Sequence, residues 1–426
     1  MFFSKLKKRM KNINEIIRLS FGRVLILLKW IIVAGTTGAI LGFVGAYFAR
    51  SITWVTELRG EHPWILYLLP VIGVVIAALY KYGHEKGGTN LVLESLHAGK
   101  RIPLRMAPMI FIATILTHLG GGSAGREGAA LQLGGSIAQF LGKVFRLDDK
   151  NTKLIIMCGM SAGFAALFGT PLAATVFAME VVTVGVMHFS ALFPCSIAAL
   201  TASTFAHKFG GHAEAFHVLN IPEFGFHSGI RVAILAFLCA ALSIAFCKTL
   251  HGTEKLYKKY LPNVYVRAFV GGLLIIVMTK VLGRTDYLGG GVHIIEQAME
   301  GTVVPTAFLM KIIFTAVTLE AGFKGGEIVP TLFVGATFGC LFGNVIGFEP
   351  SLCAACGMLA LFCAMTNSPL ATLVLGFEMF GFEGMPFYLL AVAIGYLESG
   401  YYGLYKGQKV MYSKTQPEYI NIHTKG

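Results

Sequence analysis

Charge is what this chain has least of. Only 13% of its 426 residues are Asp, Glu, Lys or Arg, and 55% are apolar, whereas a soluble domain carries about 25% charged residues. A globule of this size cannot be coated with so little charge. That excludes a soluble enzyme, a secreted disulfide scaffold and a nucleic-acid module, and it makes the lipid bilayer the partner of most of the surface. At about 20 apolar residues per crossing, the material suffices for about ten to fourteen membrane segments.

Acid is scarcer than base. The chain has 22 Asp and Glu against 35 Lys and Arg, a net charge of +13. The excess is placed, not spread. Lys5, Lys7, Lys8, Arg9 and Lys11 precede the first apolar run, and Lys406, Lys409, Lys414 and Lys425 follow the last. The polar breaks Lys100–Arg105, Lys143–Lys153 and Glu254–Arg267 are basic too, whereas His207–His227 holds four His, one Lys and two Glu. Basic residues mark cytoplasmic loops. The sequence therefore predicts a multi-pass protein of the cell membrane with both termini cytoplasmic and the His-rich break external. A basic N-terminal segment (1–23), a single membrane domain (24–405, halves 24–208 and 229–405) and a short cytoplasmic tail (406–426) follow. No stripe of Lys and Arg interleaves with stacking aromatics, so no nucleic-acid partner is read. Val24–Ala49 is too long for a signal-peptide core, and no small-residue cleavage site follows it.

Patterns of catalysis and metal binding are also missing. All eight Cys lie in or beside apolar runs, and the Cys353-x-x-Cys356 spacing has no second ligand pair near it, so these read as small buried thiols. No Ser/His pair, metal-spaced His cluster or paired aspartates occurs at membrane depth. The chain reads as no enzyme, with no metal and no cofactor.

What is present is glycine, 51 residues of it, and helices that break. Val24–Ala49, Pro63–Tyr82, Gly229–Leu250, Tyr265–Leu282 and Pro386–Tyr402 read as plain helical spans. Leu119–Gly135 (LGGGSAGREGAALQLGG) and Ala321–Ala336 (AGFKGGEIVPTLFVGA) do not, and Leu167–Glu180 and Met365–Glu378 each carry an internal Pro. Non-helical backbone at membrane depth is tolerated where protein buries it or it lines a cavity. The fold class predicted is all-α, polytopic and built with discontinuous helices.

The breaks come in pairs. GTPLAATVFAME at Gly169–Glu180 aligns without gaps to NSPLATLVLGFE at Asn367–Glu378, sharing Pro, Leu, Ala, Val and the final Glu. Gly125-Arg126-Glu127 stands 200 residues before Gly325-Gly326-Glu327, and Pro171 stands 198 before Pro369. Matched interruptions in two halves point to a transporter's binding site. Identity alone leaves open whether the halves are parallel or inverted.

Each Gly-rich break opens a helix-forming stretch, Ala129–Phe140 and Val329–Cys340. A helix N-terminus offers free N–H groups and a positive dipole end, so two of them meeting at mid-membrane would hold an anion. Glu127 stands where that anion would bind. Ionised, it can occupy the site itself, and protonated it can withdraw, which makes it both gate and proton acceptor. The plain alternative is a structural Arg126–Glu127 pair or an N-cap. Glu327 holds the matching place beside Lys324, either lining the anion path or pairing with that lysine. Glu180 and Glu378 end their matched helices, where a helix-terminus or cytoplasmic-face role fits better than transport.

At these residues the sequence resembles the CLC family of anion channels and proton-coupled antiporters. The resemblance spans about Leu25 to Tyr405 and rests on Gly125-Arg126-Glu127-Gly128, Gly163–Val181, Gly325–Ala336 and Asn367–Ala371. It implies two inverted-topology repeats, an anion path in each subunit and a homodimer. Glu127 matches the family's gating glutamate. Tyr405 matches the tyrosine whose hydroxyl contacts the central anion, and Gly326, Ile328 and Val329 fall in the second-half loop whose amides face it.

Departures bear on the substrate. Chloride-selective members carry Gly-Ser-Gly-Ile-Pro in the first-half loop, where this chain reads Gly87-Gly88-Thr89-Asn90-Leu91. Gly88 takes the serine position, with Thr89 as a substitute hydroxyl and Asn90 beside it. Ala129 replaces the common proline, Glu327 replaces an apolar residue, and Val181 stands where the internal proton-relay glutamate falls. These changes resemble the fluoride/proton antiporter branch, although that branch often has a hydroxyl residue at the place of Val329. The resemblance thus implies exchange of a halide, fluoride before chloride, for protons. The alternatives are a passive chloride channel and a chloride/proton antiporter of the same fold. About twenty residues follow Tyr405, too few for the cytoplasmic nucleotide-binding domains of larger relatives.

Overall fold

The computed structural model describes residues 2–83, 88–211 and 215–425, with side chains from residue 22 onward. The side chains of Lys5, Lys7, Lys8, Arg9 and Lys11, and all of Gly87 and His212, lie outside the described residues.

Among the described residues, glycine and proline cut the apolar sequence into sixteen α-helices, eight to each half. The first half holds α1 (Phe2–Glu61), α2 (Leu69–Tyr82), α3 (Thr89–Ala98), α4 (Met106–Gly120), α5 (Glu127–Val144), α6 (Asp149–Phe168), α7 (Pro171–Glu180) and α8 (Leu192–Lys208). The second holds α9 (Phe226–Tyr260), α10 (Val264–Leu282), α11 (Val292–Met299), α12 (Ala307–Ala321), α13 (Ile328–Ile346), α14 (Pro350–Thr366), α15 (Pro369–Phe380) and α16 (Met385–Glu398). Counterparts stop in the same way. α4 ends at Gly121 and α12 at Gly322, both left-handed, with φ of 87° and 111°. α6 ends at Gly169 and α14 at Asn367, with φ of 71° and 56°. Glycine is the residue that closes a helix this way at no steric cost, and asparagine tolerates the same region.

The relation between the halves is visible where α7 meets α15. Each begins with Pro at its first position and has no side-chain cap of its own. The cap comes from the other repeat. Glu378, near the end of α15, accepts from Leu172 N–H (3.0 Å) and Ala173 N–H (2.7 Å) at the start of α7. Glu180, at the end of α7, accepts from Leu370 N–H (3.1 Å) and Ala371 N–H (2.7 Å) at the start of α15. Equivalent helices therefore run antiparallel, and the repeat is inverted, the alternative that the family resemblance implies and residue identity alone left open.

Seven helices among the described residues are long and apolar enough to cross a bilayer, and five shorter apolar helices stand beside them. The shorter ones are α4, α7, α14, α15 and α16. Pro386–Tyr402, expected as a full span, yields only the fourteen residues of α16, which stop before Ser399. Glu254, expected in a polar break, lies inside α9. Outward-facing Ile32, Val71, Phe237, Val277 and Val345 keep much of their surface exposed, an apolar outer surface suited to a bilayer.

Glycine also sets how closely helices cross. α1 lies on α8 through Gly38 and Gly42, four apart on one face, and a Cβ on Gly42 would come within 2.6 Å of Ala202 O. α5 and α6 touch backbone to backbone at Gly134 and Gly159, and α13 and α14 do the same at Gly335 and Gly357. The segment after α16 folds back onto the molecule. Its strands β2 (Lys409–Tyr412) and β3 (Tyr419–His423) are antiparallel, and β2 pairs in parallel with β1 (Thr183–Val184) of the first half.

Candidate anion site

The two Gly-x-Glu loops meet. Gly125 N–H donates to Gly326 O (2.7 Å) and Gly326 N–H to Gly125 O (2.8 Å), an antiparallel bridge that sets the N-termini of α5 and α13 head to head. No side chain larger than hydrogen fits at the contact. A Cβ on Gly326 would lie 2.5 Å from Gly128 N, and one on Gly128 would lie 3.0 Å from Gly326 Cα. The positive ends of two helix dipoles thus converge on one small region.

Carboxylates are placed at that region. Glu127, the first residue of α5, is fully buried, and its Oε2 accepts from Arg126 N–H at 3.0 Å. Arg126 Nε lies 3.5 Å from Glu127 Oε1, so the ion pair allowed by the sequence is present. Glu327 closes the matching loop, and its Oε2 is 3.5 Å from the position of a Cβ on Gly128. Ile328, fully buried, begins α13, and Val329 Cβ lies 3.1 Å from a Cβ on Gly125. The Tyr405 hydroxyl is buried and has no hydrogen-bond partner among the described residues.

The first-half loop contributes differently. Gly88 is the N-cap of α3, with nothing within 4 Å of a Cβ there. Thr89 Oγ1 donates to Gly128 O (3.4 Å) and accepts from Gln132 Nε2 (3.2 Å). Asn90 Oδ1 accepts from Gly407 N–H (2.9 Å), holding the turn after Tyr405 to α3. The structure therefore brings Gly125, Arg126, Glu127, Gly128, Gly326, Glu327, Ile328 and Val329 into direct contact. Thr89 touches that group through Gly128, and Asn90 reaches it only through the Tyr405 turn.

A cavity of about 660 Å³ leads to Glu127 from the end of the molecule where α1 and α10 finish. Arg59, Arg126, Lys280 and Arg284 line it against only Glu57 and Glu127, which gives it a positive potential that gathers anions. Arg59 Nη1 donates to His118 O. Lys311 lies fully buried behind the wall, its Nζ donating to Gly289 O (2.7 Å) and Tyr287 O (3.2 Å). Sequence reasoning passed over Lys311, although a lone lysine in the apolar run Ala307–Ala321 was a legible signal. Gln132 carried no comparable signal.

Facing helix N-termini, inverted repeats and broken helices around a buried carboxylate define a multi-pass membrane transport protein. Comparison with known proteins narrows the class. A family model described as voltage gated chloride channel matches residues 72–400. The chloride/fluoride channel protein of Pseudomonas syringae pv. tomato is 36% identical over 406 residues, 92% of this chain and 90% of that protein. The H+/Cl− exchange transporter ClcA of Salmonella paratyphi B is 24% identical over 385 residues, 82% of this chain and 80% of that one. A crystal structure of a CLC-type fluoride/proton antiporter superposes with a TM-score of 0.87 at 32% identity, covering 90% of this chain and 98% of that chain. The structure of a slow cyanobacterial Cl−/H+ antiporter shares the fold, with a TM-score of 0.75 at 19% identity over 87% and 94% of the two chains. The chain belongs to the CLC family, a family of transporters and channels and not of enzymes.

Proposed function

We propose that this protein exchanges fluoride for protons across the cell membrane, one path per subunit of a homodimer, with both termini cytoplasmic. The observation that carries the reading is the position of Glu127. Its carboxylate is buried at the junction of two helix N-termini, at the inner end of a basic cavity, where an anion and a carboxylate compete for the same positive ends. Ionised, Glu127 closes the path by taking the anion's place. Protonated, it leaves the site and carries a proton with it. Gly125, Arg126, Gly128, Gly326, Ile328 and Val329 supply the backbone and walls of the anion site, and the buried, unpartnered Tyr405 hydroxyl is a further donor for the anion. Gly88 and Thr89 shape the first-half approach, with Asn90 holding the Tyr405 turn in place.

Fluoride is preferred on two grounds. The 36% identical relative is named a chloride/fluoride channel protein, and the 32% identical solved structure is a fluoride/proton antiporter. Glu327 also adds a second carboxylate beside the anion, which suits an anion that is the conjugate base of a weak acid and can share a proton with a carboxyl group. The test is flux from liposomes holding fluoride or chloride, with external pH recorded. Fluoride efflux with proton uptake, both altered in Glu127→Gln, supports the reading. Equal chloride and fluoride fluxes would sink the substrate assignment.

A passive channel is the second reading, and one feature favours it. Val181 stands where an internal proton acceptor would be, and it is fully buried and continuous with the β1 segment that β2 covers. Anion flux without proton movement would select it.

A further inference from the structure

Nothing at the ring end of Tyr405 fixes its hydroxyl, which has no hydrogen-bond partner among the described residues. Its place is set from the backbone, and most of the bonds that set it come from the segment that follows. Tyr405 O accepts from Gln408 N–H (2.9 Å) and from the Thr424 hydroxyl (2.7 Å). On the other side of the tyrosine, Leu404 N–H donates to Met365 O (2.9 Å).

Gln408 is fully buried and spends its whole side chain on this arrangement. Its Nε2 donates to Val181 O and Thr366 O, both at 2.8 Å, and its Oε1 accepts from Asn367 Nδ2 at 3.1 Å. Val181 directly follows α7, while Thr366 ends α14 and Asn367 begins the turn into α15. One amide therefore ties both repeats together three residues beyond Tyr405. Lys414 closes the outside, its Nζ donating to Asn367 Oδ1 (2.5 Å) and to Tyr396 O (2.9 Å).

We propose that residues 406–425 form a clasp that sets the Tyr405 hydroxyl at the anion, with Gln408 as its positioning residue. The proposal rests on the reading above that Tyr405 contacts the anion. Two of the tail's buried bonds end on the carbonyl of Tyr405 itself, and the Gln408 side chain fixes the same turn to Val181 O, Thr366 O and Asn367 Nδ2. The clasp also converts a segment outside the helices into a determinant of how well the anion is held.

The test uses the full chain in liposomes, with initial fluoride efflux measured against internal fluoride to separate KM from maximal rate. Gln408→Leu removes all three side-chain bonds, and Thr424→Val removes only the hydroxyl bond to Tyr405 O. Each is expected to raise KM by about three- to tenfold, the range one net hydrogen bond commands, with maximal rate within about twofold. Either change added to Tyr405→Phe should raise KM no further, because the two act through one contact. If both variants lower the melting temperature and leave KM at the parent value while Tyr405→Phe raises it, the clasp is structural and the proposal is wrong. If Tyr405→Phe leaves KM unchanged, the reading of Tyr405 fails and the clasp proposal goes with it. Should Gln408→Leu not fold, Thr424→Val decides by the same comparison.

Discussion

The reciprocal caps between α7 and α15 make a quantitative prediction. Glu180→Gln keeps the shape of the side chain but leaves one oxygen where two accepted N–H bonds at 3.1 and 2.7 Å. The amide NH2 would then face a backbone N–H at one of them. A hydrogen bond to a charged group is worth about 1.5–3 kcal/mol, and the lost charge at the helix N-terminus adds about 0.3–1 kcal/mol. The sum is about 2–4 kcal/mol. Glu378→Gln breaks the matching cap, but Glu378 is less buried than Glu180, so its cost should be about half, exposed groups being screened. α7 spans ten residues, about 15 Å of helix, which separates the two caps enough for their costs to add. The assay is thermal denaturation of the purified full chain in detergent, all variants scanned at one rate because the midpoint is operational. A chain this long should shift by about 1–2 °C per kcal/mol, so Glu180→Gln should melt about 2–8 °C lower. The double variant should show the sum. A Glu180→Gln protein as stable as the parent, or a double variant no worse than Glu378→Gln alone, would refute the reciprocal-cap account.

Three further changes follow from the contacts at the site and between helices. Gly326→Ala places a Cβ 2.5 Å from Gly128 N, so the paired loops must part, and fluoride flux should fall at least tenfold in protein that still elutes as a folded species. Gly335→Ala drives a Cβ to 2.5 Å from Gly357 O, backbone on both sides. Forced separation of α13 from α14 should cost about 1–3 kcal/mol and appear as a lower melting temperature. Lys311→Met leaves the carbonyls of Tyr287 and Gly289 without their buried donor. That should cost about 1–3 kcal/mol and lower flux by loosening the Gly-rich wall of the cavity; a variant as stable and active as the parent would remove Lys311 from the account.

Much of this was legible in the sequence, because the signals were local. The Gly-x-Glu loops and the Pro-Leu-Ala helices repeat at nearly one offset, and left-handed stops fall at Gly121, Gly169 and Gly322, where glycine stands. Helix starts at Glu127 and Ile328 fell within two residues of the expected stretches. What was not legible depends on distant partners. Glu180 and Glu378 read as matched helix ends, yet each caps a helix about 190–206 residues away, which no local pattern records. Hydropathy cannot tell one long helix from a short one buried by its neighbours, so the split into seven long apolar helices and five shorter ones among the described residues was not legible. The tail reads only as a short cytoplasmic segment (406–426), since four residues of β2 are too few for an alternating pattern to stand out. Gln408 is one polar residue among many until the fold buries it.

The central claim is that Glu127, at the meeting of two helix N-termini, couples fluoride movement to protons. Liposomes loaded with fluoride at equal internal and external pH test it directly. The account predicts that fluoride running outward drives protons inward against no initial proton gradient, so that the external medium becomes more alkaline. In Glu127→Gln the proton movement should vanish. Fluoride efflux from the parent protein with no change in external pH, or proton uptake that persists in Glu127→Gln, would contradict it.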